Sequence, residues 1–206
     1  AEIMQLNLQQ LSHCQQACAG IDTVIHLAAD GNPEADFETS LLGNNMLATR
    51  NLFLAATEAG CRRFIFASSA HVFSAYPAER QLTSETAVNP ANEYGVSNCY
   101  GEALAAYFAH AHQLSTIVLR IGAYLFHEEY AAYPPNQADA FLHPDDFNHL
   151  LIQCIKTPNI PFLIAHAISN NRHKRLDLTE TKRRLGYSPK ADGFKIFGNQ
   201  HNGADN

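Results

Sequence analysis

Two kinds of apolar pattern alternate along this chain. Continuous apolar runs occur at 23–27 (Thr-Val-Ile-His-Leu), at 63–67 (Arg-Phe-Ile-Phe-Ala), at 115–121 and at 162–168. Runs of that length and density are buried on both faces in parallel sheets. Between them, apolar residues recur every three to five positions. Leu41, Leu42, Met46, Leu47, Leu52, Phe53 and Ala56 predict a helix over 37–59, ended by Gly60. Val96, Tyr100, Leu104, Tyr107 and Phe108 predict the apolar stripe of a second helix, from Tyr94 to about His112. Shorter helices are predicted at 11–19, stopped by Gly20, and at 179–185, ended by Gly186 with Pro189 beyond it. Asp145 and Asp146 predict a cap for a helix over 147–156. Residues 2–6 read as a short strand, and the polar tail 198–206 as frayed. Strands alternating with helices at this spacing predict βαβ units and an α/β fold with a doubly wound parallel sheet.

In such a sheet the ligand crevice lies outside the carboxyl ends of the strands. The 63–67 run passes directly into Ser68-Ser69-Ala70-His71, which places hydroxyls at a strand tip. Tyr94 opens the next helix, and Asn98 follows it one turn later on the same face. A hydroxyl and a phenol converging on one crevice suit proton transfer to or from a substrate alcohol. Spacing alone equally fits a half-buried packing aromatic and a serine that caps a turn. A second small-residue turn, Ala28-Ala29-Asp30-Gly31, follows the 23–27 run and lets the backbone approach a ligand closely.

Composition narrows the classes. With 206 residues, 46% hydrophobic and 17% charged, the chain suits one globular unit of ordinary size. The net charge of −6 gives no electrostatic footprint for nucleic acid, and Arg172-His173-Lys174-Arg175 reads as a solvated loop. No apolar run approaches the ~18 residues that span a bilayer, and the opening residues lack the basic flank and apolar core of a signal peptide. Five scattered cysteines read as reduced thiols, so the expected compartment is the cytoplasm. Cys14 and Cys18 lie one helical turn apart without a second ligand pair, and no metal site is expected. His110 and His112, two apart on a helix, face different ways.

Several stretches together carry a resemblance. They are Val24-Ile25-His26-Leu27-Ala28-Ala29, Asn45-Met46-Leu47-Ala48-Thr49-Arg50-Asn51, Phe66-Ala67-Ser68-Ser69, Tyr94-Gly95-Val96-Ser97, Leu119-Arg120-Ile121-Gly122 and Leu185-Gly186-Tyr187-Ser188-Pro189. On these the chain resembles the extended short-chain dehydrogenases, the NAD-dependent epimerase/dehydratase family, over about residues 5–195. Within that family it is most similar to the uronate dehydrogenases, through Phe66-Ala67-Ser68-Ser69-Ala70-His71, Tyr76-Pro77, Tyr94-Gly95-Val96-Ser97-Asn98-Cys99-Tyr100-Gly101-Glu102 and His143-Pro144-Asp145-Asp146-Phe147.

The resemblance implies a Rossmann-like NAD-binding part over 1–122 and a mainly substrate-binding part over 123–206, with a returning strand, in the same globular unit. It implies NAD or NADP as cofactor and a sugar, sugar acid or nucleotide sugar as substrate. Tyr94 then moves the hydroxyl proton while hydride passes to the nicotinamide, Ser69 holds the reacting oxygen, and Asn98 stands at the third catalytic position. The cofactor would pass Leu27, Ala28, Ala29, Asn45, Ala67, Ser68, Tyr94, Asn98 and Ile121. The substrate would meet Gly31, Ser69, Ala70, His71, Tyr94 and Ala123. A homodimer through the helices at 37–59 and 94–112 is also what the resemblance suggests.

Three departures from the family pattern bear on activity. The family has Tyr-x-x-x-Lys, and here the fourth residue after Tyr94 is Asn98. That lysine favours the phenolate through its charge and grips the nicotinamide ribose. A shift of about three pKa units is worth about 4 kcal/mol. Second, no Gly-x-x-Gly-x-x-Gly turn for the pyrophosphate is present. On the resemblance, residues 2–6 match the family's third strand, with Asn7 where an aspartate usually meets the adenine, which leads one to expect about forty to fifty further residues, a βαβ unit plus a strand, in front. A fragment of a longer protein and a degenerate gene both account for this. Without those strands the 23–27 strand has an open apolar edge. Third, the uronate enzymes clamp the sugar carboxylate with an arginine after Arg-Ile-Gly, a bidentate job, and no Arg or Lys occurs between Ile121 and Pro144. Tyr124, Phe126, Tyr130 and Tyr133 in that segment are expected to cover core. Two readings of function stay open: an impaired NAD(P)-linked oxidoreductase or epimerase, and a non-catalytic relative that binds a nucleotide or protein partner.

Overall fold

A computed structural model describes residues 3–201. Glu2 and the tail beyond 201 lie outside the described residues. The chain divides into two compact units, Ala1–Ala75 with Val88–Leu119 and Pro158–Ile164, and Tyr76–Ala87 with Arg120–Thr157 and Ala165–Asn206. The elements run α1 (Leu11–Cys18), β1 (Thr23–His26), a π-helical segment (Phe37–Leu47) continuing as α2 (Ala48–Glu58), β2 (Arg63–Ser69), a 3₁₀ turn (Ala70–Phe73), α3 (Glu93–His112) and β3 (Ser115–Ile121). Then come β4 (Ala123–Tyr124), two 3₁₀ turns (His127–Ala132 and Pro135–Ala140), β5 (Phe141–Leu142), α4 (Pro144–Lys156), β6 (Phe162–Ala167), α5 (Thr179–Leu185) and α6 (Gly193–His201). Among the described residues no helix is long and apolar enough to cross a membrane.

The main sheet has the order β1-β2-β3-β6, and β1 pairs with β2 in parallel, Thr23 opposite Arg63 and His26 opposite Phe66. This is the parallel α/β architecture that the alternating pattern predicts. Two strand expectations need correction. Residues 3–6 form no strand, because a strand needs a ladder partner and none of the described residues supplies one. The β1 run is not buried on both faces: it ends the sheet order, and Ile25 is 37% and Leu27 51% exposed. His26, by contrast, is buried, and its Nε2 lies 2.9 Å from Thr49 Oγ1. Burial pushes its pKa down to about 4, so that contact is a neutral hydrogen bond at pH 7.

The helix predicted over 37–59 forms, with a change of register inside it. Asp36 caps it by accepting the Thr39 N–H at 2.8 Å, and the first eleven residues take the wider π turn before α2 begins. Leu41 and Asn45, four apart, are the buried residues of that π segment.

α3 follows the expected stripe only in part: Phe108 is buried and Leu104 packs against the core, but the rest of the buried face is different. Val96 and Tyr107 are 48% and 55% exposed, while Gly95, Ser97, Asn98, Gly101, Glu102, Ala105, Phe108 and Ala109 are buried. Small residues dominate the buried face where the helix lies almost on β2. A Cβ at Gly101 would sit 2.2 Å from Phe66 Cζ, and one at Gly95 would sit 2.6 Å from the His71 carbonyl oxygen. Beneath this contact Phe53 stacks on Phe64 at 3.9 Å and on Phe108 at 5.3 Å, joining α2, β2 and α3 in one apolar cluster.

In the second unit β4 pairs with β5 in parallel, Ala123 opposite Phe141. Tyr130 and Phe141 pack with Phe197, and Tyr133 stacks beside it, so these aromatics cover core as expected; Phe126 is exposed. α4 is capped by His143, whose Nδ1 accepts the Asp145 N–H at 3.1 Å, and not by the aspartates. Asp145 and Asp146 fall in the first turn. Asp146 is buried and accepts from Ser169 Oγ and from the Lys190 and Ala191 N–H groups, a better-satisfied place for a carboxylate than a solvent-facing cap. Of Arg172-His173-Lys174-Arg175, Arg172 pairs with Asp192, and the Arg175 guanidinium donates to the carbonyls of Tyr76, Pro77, Ala78 and Arg80, which holds that loop in place.

Candidate active site

Ser69 ends β2 with its side chain buried. Its Oγ accepts the His71 N–H at 3.1 Å and so caps the 3₁₀ turn that follows. That bond uses a lone pair and leaves the hydroxyl proton available to a ligand oxygen. Ala70 and His71 form the first turn beyond the tip. The His71 and Tyr94 rings make a T-shaped contact, with centroids 5.4 Å apart and planes at 72°. Burial holds the His71 imidazole below the usual histidine range. Ser69 and Tyr94 thus flank one histidine within the first unit, and the Tyr94 hydroxyl has no hydrogen-bond partner among the described residues.

Tyr94 stands where it does because of the residues before it. Asn92 is the cap of α3, accepting the Gly95 N–H on Oδ1 at 2.8 Å, and its Nδ2 lies 3.1 Å from His71 Nδ1. Gly95 leaves room for the His71 carbonyl. One turn on, Ser97 Oγ and Asn98 Nδ2 both donate to the Tyr94 carbonyl, at 2.8 and 2.9 Å. Asn98 is buried and turned back onto its own helix.

The floor of the site is tied to the end of β1. Asn45, buried, accepts the Asp30 N–H on Oδ1 at 2.8 Å and donates from Nδ2 to the Asp30 carbonyl at 3.0 Å and to Ser97 Oγ at 3.2 Å. Asp30 is itself held by Ser40 Oγ and the Asn32 N–H, which keep its carboxyl below the usual carboxylate range. Ala28, Ala29, Asn45, Ala67 and Asn98 line one small cavity of about 10 Å³, together with Thr49, Phe66 and Ser97. A larger cleft of about 550 Å³ shares Ala28 and Ala29 with it and is walled by Asn7, Gln9, Asp30, Asn44 and Ala48 among others. Its size is that of a small-molecule site, and its amides offer both donors and acceptors. Small residues at 28 and 29, which admit close backbone approach, fit the passage of a dinucleotide. Among the described residues nothing beside them forms a glycine-rich phosphate cradle.

The remaining expected residues are placed otherwise. Leu27 and Gly31 are exposed. Ser68 is buried and its hydroxyl donates to Glu102 Oε1 at 2.7 Å, away from the strand tip. Ile121 ends β3 and Ala123 starts β4; both belong to the second unit. Asn92, Asp30 and Ser97 were not expected in the site. Asn92 carried a readable signal, an asparagine just before a helix with Pro90 ahead of it; Asp30 and Ser97 lie within matching stretches without any spacing that marks them out.

A sequence model of the NAD dependent epimerase/dehydratase family matches residues 1–125. The NAD-dependent glucose-6-phosphate dehydrogenase of Haloferax volcanii is 34% identical over 187 residues, which cover 85% of this chain and 70% of that protein. A uronate dehydrogenase of Pseudomonas syringae is 28% identical over 200 residues, 95% of this chain and 68% of that one. Among solved structures, uronate dehydrogenase from Agrobacterium tumefaciens superposes with a TM-score of 0.86 at 26% identity, covering 100% of this chain and 74% of that chain.

Proposed function

Because the chain belongs to the NAD dependent epimerase/dehydratase family, we propose that it is an NAD(P)-linked dehydrogenase or epimerase acting on a sugar, a sugar acid or a nucleotide sugar. The observation that carries this reading is the group at the β2 tip: a serine with its proton available, bonded to the backbone of a histidine whose ring meets that of Tyr94. Bound NAD supplies the hydride acceptor. Ser69 donates to the reacting oxygen and fixes its position, and Tyr94 takes the hydroxyl proton as hydride leaves the carbon. Residues 1–122 carry the cofactor side, with Leu27, Ala28, Ala29, Asn45, Ala67, Ser68, Asn98 and Ile121 along it. Residues 123–206, Ala123 among them, form the mainly substrate-binding part, and Gly31, Ala70 and His71 are the substrate contacts outside it. The Tyr94→Phe variant of the intact gene product, assayed for reduced cofactor with a panel of aldoses and uronates, should lose about 10²- to 10⁴-fold in turnover. An unchanged rate would show that the phenol moves no proton.

One observation favours a second reading, a relative that binds a nucleotide or protein without catalysis. The amide of Asn98 is bonded to the Tyr94 carbonyl and brings no charge to the site. The supporting context for a homodimer is the outward apolar stripe of α3, Val96 and Tyr107, with Leu42 and Leu47 exposed on the preceding helix. Sedimentation equilibrium should give twice the monomer mass, and Tyr107→Glu should return it to the monomer. A monomer in the unsubstituted protein would remove the dimer.

A further inference from the structure

We propose that Asn92 is a positioning residue that locks the His71 ring as its Nε2–H tautomer, so that His71 presents a hydrogen-bond donor beside Tyr94. This rests on the reading of the site given above. The argument starts from a backbone group. The Gly95 N–H can only donate, so the Asn92 atom 2.8 Å from it is the amide oxygen. That fixes the orientation of the amide, which is otherwise ambiguous. The nitrogen of the same amide therefore faces His71 Nδ1 at 3.1 Å. An amide NH₂ only donates, so Nδ1 must be the lone-pair nitrogen. Burial keeps the ring neutral at pH 7, and in a neutral ring with a bare Nδ1 the proton sits on Nε2.

The ring cannot easily escape this assignment. Its backbone N–H is held by Ser69 Oγ, its ring lies T-shaped against that of Tyr94, and Gly95 packs against its carbonyl. Nε2 has no partner among the described residues. A donor there suits an oxygen of the substrate or the carbonyl that forms from it. An acceptor there would compete with Tyr94 for the hydroxyl proton. One helix cap thus serves two ends: it starts α3 and it sets the proton of a histidine 21 residues earlier.

The test is ¹⁵N NMR of the imidazole nitrogens of the 206-residue chain at pH 8, with His71 assigned by the signals lost in His71→Gln. Nδ1 should resonate as the unprotonated nitrogen and Nε2 as the protonated one. Asn92→Asp keeps a good cap for Gly95 but offers Nδ1 an acceptor, and the two signals should exchange character. Asn92→Ser keeps a cap without the second contact, and the single tautomer should give way to a mixture. An Nδ1–H ring in the unsubstituted protein, or an unchanged tautomer in both variants, overturns the inference. The spectrum needs neither cofactor nor turnover. A failure of the Tyr94→Phe assay therefore strikes only the proposed reaction, and a wrong tautomer strikes only the role of Asn92.

Discussion

Replacing Asn98 by lysine should raise the turnover of the intact gene product by about 10²- to 10³-fold, because a shift of about three pKa units toward phenolate is worth about 4 kcal/mol. A fixed positive charge one helical turn from Tyr94 stabilises the charged form of the phenol; an amide cannot. Asn98 sits at the right place for the substitution. It shares the small cavity with Ala28, Ala29 and Ala67, whose short side chains leave a path for an aliphatic stem toward the crevice. The loss on the other side is small. The Tyr94 carbonyl gives up the Asn98 bond and keeps the one from Ser97, a change of about 1 kcal/mol. The assay is the initial rate of reduced-cofactor formation across the sugar panel, followed over pH. The rise of rate with pH should move to lower pH in the lysine variant, since the added cation favours loss of the phenolic proton. Equal rates in the two proteins, with cofactor still bound, would leave the non-catalytic reading in possession of the site.

Much of the architecture was legible because parallel-sheet strands are continuous apolar runs. The runs at 63–67 and 115–121 became β2 and β3, buried along most of their length. Ser69 and Tyr94 were legible for a related reason: one ends such a run and the other opens the helix after it. What the pattern hid were contacts made across the chain. Asn45 grips the Asp30 backbone 15 residues away, and Asn92 meets His71 over 21; no local period encodes either. On α3 the apolar stripe and the buried face, usually the same thing, coincide at Phe108 and Leu104 but not at Val96 and Tyr107. Here the approach to Phe66 demands glycine at 101, and Val96 and Tyr107 face outward while Phe108 stays in the core. The β1 run looked like a two-sided strand, yet its exposure depends on its neighbours in the sheet and not on its own composition.

The same close approach makes Phe53 the residue whose truncation should cost the fold most. Phe53 is fully buried, stacked on Phe64 and Phe108 and tilted 6.2 Å from Phe66. It therefore fills the space under both the β2 strand and the helix that carries Tyr94. Phe53→Ala should lower unfolding stability by about 3–5 kcal/mol, the cost of lost burial plus the cavity left behind. A domain has about 5–15 kcal/mol to lose. Collapse cannot relieve the cavity cheaply, because Phe66 is pinned on its other side by Gly101 and cannot follow the missing ring. Urea unfolding should show the midpoint falling at an unchanged slope, the signature of altered stability alone. Phe53→Leu keeps most of the volume and should lose less than about 1.5 kcal/mol, as volume-conserving changes do. If the alanine variant lost no more than the leucine one, ring stacking and cavity would both be the wrong account. The hold of α3 on β2 would then have to come from the small-residue face of the helix itself.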